Sequence, residues 1–253
     1  MCLMEEHWLA VYDPPLPGKI NMEKDLELMQ AVSTRAAPAT LRLYSWSPPA
    51  LSLGYFQKEE AVVNREACRR LGIDVVRRPT GGRAVLHYRE LTYSIIVPEA
   101  HPQIPQGVLD SYRFLSGGIM EAFRLLDINP SLASGEKREH KLVSGSCFDA
   151  PSAYEVQVQG KKVVGSAQLR RHGVLLQHGS ILLELPLELY EKILRLSGPE
   201  KKAASYLERL KKKAAGLHDL GYMVSVDDLV TALFRGFSRI FAVEIIRKGG
   251  AGN

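Results

Sequence analysis

In the stretch from Ser144 to Ser180, a cysteine precedes a predicted β-hairpin and a lysine opens the second strand of that hairpin. Cys147 is followed by turn-forming residues, and residues 154–159 then alternate between apolar and polar side chains, which is typical of a half-buried strand. A turn at Gly160 carries Lys162 back toward the start of that strand. An ammonium beside a thiol is the usual basis of a nucleophilic cysteine, so this stretch predicts a reactive thiol.

The other cysteines do not form a pattern with it. The chain has three cysteines, an odd count without a CxxC pair, so we predict neither a disulfide framework nor a zinc site. Cys68 falls within a predicted helix, where it is expected to pack as a small apolar group. No metal and no cofactor is predicted.

A second candidate site is a glycine-rich segment, RRPTGGRAVLH, from Arg77 to His87. The adjacent Gly81 and Gly82 allow the backbone to approach a ligand with its N–H groups exposed. A tight turn between two strands is the alternative interpretation. Arg78 and His87, which flank the glycines, favour a binding loop.

The composition predicts a globular protein. Of the 253 residues, 45% are hydrophobic and 24% are charged, which are ordinary values for a packed domain. No apolar run approaches the roughly 20 residues needed to cross a bilayer, and the N-terminus lacks the pattern of a signal peptide. We therefore predict a cytoplasmic protein without a membrane partner.

The net charge of +5 is compatible with more than one kind of partner. The basic residues are scattered in pairs and are not interleaved with aromatic residues in a tract, so we predict no nucleic-acid partner. A mildly positive surface equally suits acidic protein partners, because it steers their encounter.

Strands and helices are predicted in an irregular order, which favours an α+β fold. The predicted strands are 7–12, 41–46, 50–55, 73–78, 91–97, 154–159, 162–168, 173–183 and 243–246. The predicted helices are 21–37, capped by Asn21; 59–71; 107–126, interrupted at Gly117 and Gly118; 186–196; 199–213; and a last helix to 241, capped by Ser225. Residues 129–141 are predicted to be a polar loop.

Four segments in order and spacing resemble the biotin/lipoate protein ligase and octanoyltransferase superfamily: RRPTGGRAVLH, CFDAPSAYE, GKKVVGSAQ and GVLLQHGS. The CFDAPS segment is similar to the cysteine-dependent octanoyltransferases of lipoate assembly. The resemblance implies a mixed, largely antiparallel sheet flanked by helices, with the acyl chain in a tunnel beside the glycine loop. It also implies one catalytic domain over residues 1–253, without a C-terminal accessory domain.

The resemblance assigns roles to individual residues. Cys147 is the expected acyl-accepting nucleophile, and Lys162 is the lysine beside the acyl carbonyl. The residues expected to bind the substrate are Arg78, Gly81, Gly82 and His87 in the loop, Gly165 and Ser166 beside the carbonyl, and His178 and Gly179 along the pocket. Tyr88 departs from the acidic residue that the pattern places after the histidine. Either His87 or His178 is a candidate base for the acceptor lysine.

The expected reaction moves an octanoyl group from octanoyl-acyl carrier protein to a lysine of a lipoyl domain, such as the glycine-cleavage H protein. Three alternatives remain open at this point. An ATP-dependent lipoate ligase would activate a free acid without a thiol, and an amidotransferase would take the octanoyl group from H protein. A non-catalytic module would only bind lipoyl or carrier domains. Cys147 counts against the ligase, and Cys147, Lys162 and the glycine pair together argue against the binding module.

Overall fold

The computed structural model describes residues 7–133, 155–195, 200–241 and 244–247. The predicted nucleophile, Cys147, and the segment around it lie outside the described residues.

Twelve strands and seven α-helices form the described part of the chain. The strands are β1 (His7–Tyr12), β2 (Thr40–Tyr44), β3 (Ala50–Leu53), β4 (Asp74–Arg77), β5 (Val85–His87), β6 (Glu90–Pro98), β7 (Pro130–Leu132), β8 (Val156–Val158), β9 (Lys161–Lys162), β10 (Val164–Arg171), β11 (Val174–Leu182) and β12 (Glu244–Arg247). The helices are α1 (Gly18–Ser33), α2 (Glu59–Val62), α3 (Arg65–Arg70), α4 (Val108–Leu125), α5 (Leu187–Ile193), α6 (Glu200–Lys213) and α7 (Val226–Phe241), with a 3₁₀ turn at His218–Leu220.

The central sheet has six strands in the order β10-β11-β6-β2-β1-β12. The pairs β10–β11, β11–β6 and β6–β2 are antiparallel, whereas β1 runs parallel to both β2 and β12. The sheet is therefore mixed and largely antiparallel, which confirms the predicted α+β class. Strand β12, which corresponds to the predicted strand 243–246, forms one edge.

Two smaller sheets complete the fold, with strand orders β4-β3-β5 and β7-β8-β9. The hairpin β8–β9 turns at Gln159 and Gly160, both of which have positive φ, as a tight hairpin turn requires. The predicted hairpin is thus confirmed. Strand β10 begins directly after β9, so this hairpin leads into the central sheet.

The two faces of the central sheet differ in character because side chains alternate along each strand. One face packs its apolar side chains, among them Leu43, Tyr93 and Ile95, against helices α4 and α7. The opposite face packs Ile96 and Leu176 against α1, and next to them it carries polar side chains. This polar region faces the β4-β3-β5 sheet and contains the candidate site.

Three predicted helix features were wrong. Helix α1 begins at Gly18, so Asn21 lies inside the helix, fully buried, and does not cap it. The predicted helix over 59–71 is two short helices, and the Asn64 side chain caps the second by accepting a hydrogen bond from the Ala67 N–H. The polar side chain of Asn64 thus marks a boundary that apolar periodicity does not resolve, whereas that of Asn21 marks none.

The third wrong feature is the interruption at Gly117 and Gly118, because α4 continues through both. Gly118 lies against the ring of Phe237, and a Cβ at Gly236 would lie 2.5 Å from the Gly118 carbonyl oxygen. These glycines allow α4 and α7 to pack closely, and this contact outweighs the low helix propensity of glycine.

The close contact predicts that Gly236→Ala is destabilising. Its Cβ would meet backbone atoms of Gly118 and Ala122, at 2.5 and 2.6 Å, that cannot move without separating the helices. We expect the free energy of unfolding, measured by urea denaturation, to fall by about 1–3 kcal/mol. Gly117→Ala is the matched control, because its Cβ would only touch a side-chain methyl of Ile240 at 3.4 Å. Equal stability of the two variants would contradict the prediction.

Candidate active site

A cavity lies between the β4-β3-β5 sheet and the polar region of the central sheet, and the space in it that water-sized groups can occupy is about 30 Å³. Six of the predicted site residues line it: Arg78, His87, Gly165, Ser166, His178 and Gly179. The structure therefore brings three of the four sequence motifs to one cavity.

The central-sheet wall is set by the register of its strands. Gly165 pairs with Ser180, and Ser166 pairs with Gly179, which in turn pairs with Tyr93. A Cβ at Gly179 would lie 2.5 Å from the Gly165 carbonyl oxygen and 2.9 Å from the Tyr93 ring. Only glycine fits at this position without displacing the wall.

Ser166 is held by the neighbouring Tyr93 hydroxyl, with 2.5 Å between the two oxygens. The amide of Gln177 also donates to the Tyr93 hydroxyl at 3.3 Å. Burial raises the pKa of Tyr93 well above its ordinary value, so its hydroxyl keeps its proton. The hydroxyl of Ser166 is consequently fixed on the face of the sheet that carries Tyr93.

The glycine loop is braced from inside by Arg78. The buried guanidinium donates to the carbonyl oxygens of Ser52, Gly81 and Arg83, at 3.0, 2.9 and 2.7 Å. Gly82 has a φ of +94°, and a Cβ there would lie 2.8 Å from the Arg78 guanidinium. Arg78 thus shapes the loop, while Gly81 and Gly82 themselves do not line the cavity in this structure.

A chain of hydrogen bonds connects this loop to helix α1 on the same face of the sheet. The Thr80 hydroxyl lies 2.6 Å from His178 Nε2, and His178 Nδ1 lies 3.4 Å from the Asp25 carboxylate. An ionised carboxylate only accepts hydrogen bonds, so the proton of His178 belongs on Nδ1. In the neutral ring Nε2 then accepts from Thr80. Asp25 therefore positions the loop through His178.

Asp25 is fully buried and lies at the centre of a polar network. Its carboxylate accepts from the Arg42 guanidinium at 2.7 Å, from the Tyr44 hydroxyl at 3.0 Å and from the Ser94 hydroxyl at 2.8 Å. Burial favours the neutral form, but the hydrogen bond from His178 and the charge of Arg42 outweigh it and lower the pKa of Asp25. The carboxylate is therefore ionised and fixes helix α1 to three adjacent strands.

His87 is buried at the opposite wall. Its Nε2 lies 2.7 Å from the Ser52 hydroxyl, and its Nδ1 lies 3.2 Å from Ser180 and 3.3 Å from Glu90. The ring stacks on Trp46 with 3.9 Å between centroids. Burial lowers the pKa of His87 despite the neighbouring carboxylate, so the ring is neutral near pH 7.

Lys162 lies on the hairpin that leads into the cavity wall, three residues before Gly165. Only 3% of its surface is exposed, and its ammonium forms an ion pair with the buried Glu155. The hairpin brings Lys162 to the start of the preceding strand, as predicted. Because Cys147 lies outside the described residues, its proximity to Lys162 stays a prediction.

Several site residues were missed by the sequence analysis. Alternation assigned Glu155 to the polar side of its strand, but the structure buries it against Lys162. Asp25 and Arg42 gave no sequence signal, because their partners are 17 to 153 positions away. Trp46 was the last residue of a predicted strand, without an indication that it would stack on His87.

No metal site or membrane span is found in the described part of the chain. Within these ranges, no three His, Cys, Asp or Glu side chains are grouped so that they could hold a metal ion. Among the described helices, none has both the length and the hydropathy needed to cross a membrane.

The architecture is that of lipoate protein ligases. The bi-partite lipoate protein ligase of Thermoplasma acidophilum superposes with a TM-score of 0.72 over 97% of this chain and 87% of that one, at 22% identity. At this identity the similarity establishes the fold. The predicted fold of the ligase type is therefore confirmed.

Sequence comparison defines the family more closely. Residues 17–238 match the lipoyl protein ligase A/B catalytic domain. Octanoyltransferase LipM of Geobacillus kaustophilus is 43% identical over 94% of this chain and 87% of its own length, and LipM of Anoxybacillus flavithermus is 41% identical over 96% and 89%. The chain therefore belongs to the octanoyltransferase family within the lipoyl protein ligase A/B catalytic domains. It is an enzyme of the acyltransferase class, which confirms that prediction.

The Asp25 network predicts a large effect of Asp25→Asn. The substitution removes the fully buried one of the two carboxylates that pair with the Arg42 guanidinium, the other being Asp13, and breaking a buried pair costs up to about 3–5 kcal/mol. We expect a loss of that order in the free energy of unfolding, measured by urea denaturation. Glu23→Gln on the same helix is the matched control, because its pair with Lys19 is exposed and contributes less than about 1 kcal/mol. Similar losses for both variants would refute the assignment.

The pKa of His87 predicts a pH dependence of stability. In the unfolded chain this side chain binds a proton below a pH of about 6.5, whereas in the folded chain its pKa is lower and it binds the proton only at a more acidic pH. Stability therefore falls as the pH drops through that value, and His87 contributes a slope of up to about 1.4 kcal/mol per pH unit. In urea denaturation between pH 7 and 5, His87→Gln should lose part of the wild-type slope. An unchanged slope would show that His87 is not the source.

Proposed function

We propose that this enzyme transfers an octanoyl group from octanoyl-acyl carrier protein to a lysine of a lipoyl domain, in lipoate biosynthesis. The acyl group is carried as a thioester on Cys147. The glycine-cleavage H protein is the proposed acceptor, and the enzyme acts in the cytoplasm. One catalytic domain carries out both steps without a cofactor.

The observation that carries the proposal is the convergence of motifs on one cavity. Arg78 and His87 from the first motif, Gly165 and Ser166 from the third, and the fourth motif at His178 and Gly179 all line it. The family relationship to octanoyltransferases supports an acyl chain as the occupant. Burial of seven carbons at about 0.8 kcal/mol each contributes on the order of 5 kcal/mol, enough to select chain length by depth.

In the first step, the Cys147 thiolate attacks the carbonyl carbon of the donor thioester. A new C–S bond forms, the bond to the carrier sulfur breaks, and the carrier thiolate takes up a proton. A thioester is exchanged for a thioester, so the step is close to neutral in free energy and requires no ATP.

Lys162 is proposed to promote this step. A free thiol has a pKa of about 8.5, so only a few per cent is thiolate at neutral pH. A neighbouring ammonium raises that fraction and stabilises the oxyanion, which can contribute roughly 3 kcal/mol. The ion pair with Glu155 supports the proposal, because it holds the Lys162 side chain in the hairpin at the end of the cavity wall.

In the second step, the neutral amine of the acceptor lysine attacks the acyl carbonyl of the Cys147 thioester. An amide bond forms, the C–S bond breaks, and the amine loses a proton to a base. His87 and His178 remain the two candidates for that base. In this structure both nitrogens of each ring lie within hydrogen-bond reach of neighbouring side chains, so the acceptor must be received through a rearranged contact or a bridging water.

The proposal predicts an isolable acyl-enzyme. Incubation with octanoyl-acyl carrier protein, without ATP, should add one octanoyl group to the intact mass of the protein. Cys147→Ala should abolish the addition. Cys68→Ala is the matched control and should keep it, because Cys68 is buried in α3 and burial raises the pKa of its thiol.

A double variant, Lys162→Met with Glu155→Gln, tests the ammonium without leaving a buried carboxylate unpaired. Acyl-enzyme formation should slow by about 10²-fold or more. Labelling that requires ATP and free octanoate would favour an ATP-dependent ligase. Labelling from octanoyl-H protein but not from carrier protein would favour an amidotransferase, and no labelling at all would favour a binding module.

A further inference from the structure

Two aromatic side chains remain on the surface directly beside the glycine loop. Phe56 is 85% exposed and Tyr55 is 58% exposed. Their rings contact each other edge to face, with 5.0 Å between centroids. We refer to Tyr55 and Phe56 as the aromatic pair. Large aromatic side chains left in water at adjacent positions are typical of protein contact sites.

The backbone that carries the aromatic pair is firmly held. The Tyr55 N–H donates to the Thr80 carbonyl at 2.9 Å, and the Gln57 side chain accepts from the Gly54 N–H at 3.0 Å. One Arg77 nitrogen donates to the carbonyl oxygens of Gly54, Tyr55 and Gln57. The exposure of the pair is thus built into a braced turn. A preorganised turn loses little conformational entropy on binding.

The charges around the aromatic pair are mostly positive. Lys58 and Arg77 are exposed on either side. Glu59 is paired with Arg65, while Glu60 is exposed at the far end of the segment. An apolar centre with a cationic edge is complementary to an acidic surface that has an apolar patch. The net charge of +5 favours encounter with such a partner.

The aromatic pair is directly connected to the cavity through Thr80. The Thr80 carbonyl accepts from the Tyr55 N–H, and its side-chain hydroxyl bonds to His178 in the cavity wall. A domain seated on the aromatic pair therefore lies against the glycine loop, which is bonded to Arg78 and His178 in the cavity wall. An acyl chain that enters a cavity tail first leaves its thioester end outside, so the protein that holds that end docks on the surface near the cavity.

We propose that the aromatic pair is the docking contact for the acyl donor, an acidic carrier domain that presents the octanoyl thioester. This inference rests on the proposed function and adds the surface by which the donor is recognised. Phe56 provides the apolar anchor, and Lys58 and Arg77 provide the electrostatic complement.

The test compares two donors that carry the same acyl group. Rates of acyl-enzyme formation are measured with octanoyl-acyl carrier protein and with octanoyl-coenzyme A, a thioester without a protein domain. For Phe56→Ser we expect KM for the carrier protein to rise about tenfold, as for an interface anchor. Lys58→Glu should raise it less and should reduce its salt dependence. With the small thioester, both variants should match the wild type within about twofold.

Met223→Ser, at another site with 79% exposure, is the control for loss of an exposed apolar side chain and should leave both donors unaffected. An unchanged KM for the carrier protein in Phe56→Ser would overturn the inference. An equal rise for both donors would also do so, because the pair would then act on the site itself. A rise in KM only for the acceptor domain would assign the surface to the acceptor.

Two further outcomes would reject the docking role. If the wild type sediments with phosphatidylglycerol vesicles and Phe56→Ser does not, while the KM of the variant for the carrier protein is unchanged, the pair contacts lipid. If the wild-type protein is labelled by neither donor, the proposed function fails first, and the docking role fails with it. Labelling of the wild type by both donors separates these two failures.

Discussion

The Asp25 carboxylate is charged although it is fully buried, and the arrangement of the site depends on the groups that stabilise this charge. Removing a carboxylate and a guanidinium from water costs several kcal/mol per ion, so the pair needs close geometry and further hydrogen bonds. Arg42, Tyr44, Ser94 and His178 supply them. Because these donors come from β2, β6 and β11, one buried charge fixes the position of α1 across three strands.

The same network reaches the cavity by way of His178. Its ring forms a hydrogen bond with the Thr80 hydroxyl, which fixes the glycine loop to the sheet. The Thr80 carbonyl in turn accepts from the N–H of Tyr55 and so holds the turn that carries Tyr55. Arg78 braces the loop from within by donating to its carbonyl oxygens. The loop is consequently held from two directions, although it is built around two adjacent glycines. A loop held in this way is preorganised, so it loses little conformational entropy when a ligand binds beside it.

The packing and hydrogen bonds around each predicted site residue decide how it contributes to the cavity. Gly179 was expected along the pocket, and the structure shows why glycine is needed there, since β10 and β6 leave no room for a Cβ. Arg78 was expected to bind substrate, which stays a prediction; it lines the cavity, and its guanidinium donates to backbone carbonyls and to the Ser52 hydroxyl. Lys162 was expected as a catalytic cation, and its partner Glu155 became evident only when the strand was placed in the core. The role of Cys147 rests on sequence and family alone.

Local signals in the sequence determined the α+β class, the hairpin at Gly160 and the cap of α7 by Ser225, whose hydroxyl accepts from the Asp228 N–H. These features depend on residues a few positions apart, so the chain encodes them directly. The tertiary structure alone decided that α4 continues through Gly118 and that Asp25 is buried. Both depend on contacts between segments distant in sequence, where packing and desolvation outweigh the local preferences that a single sequence displays.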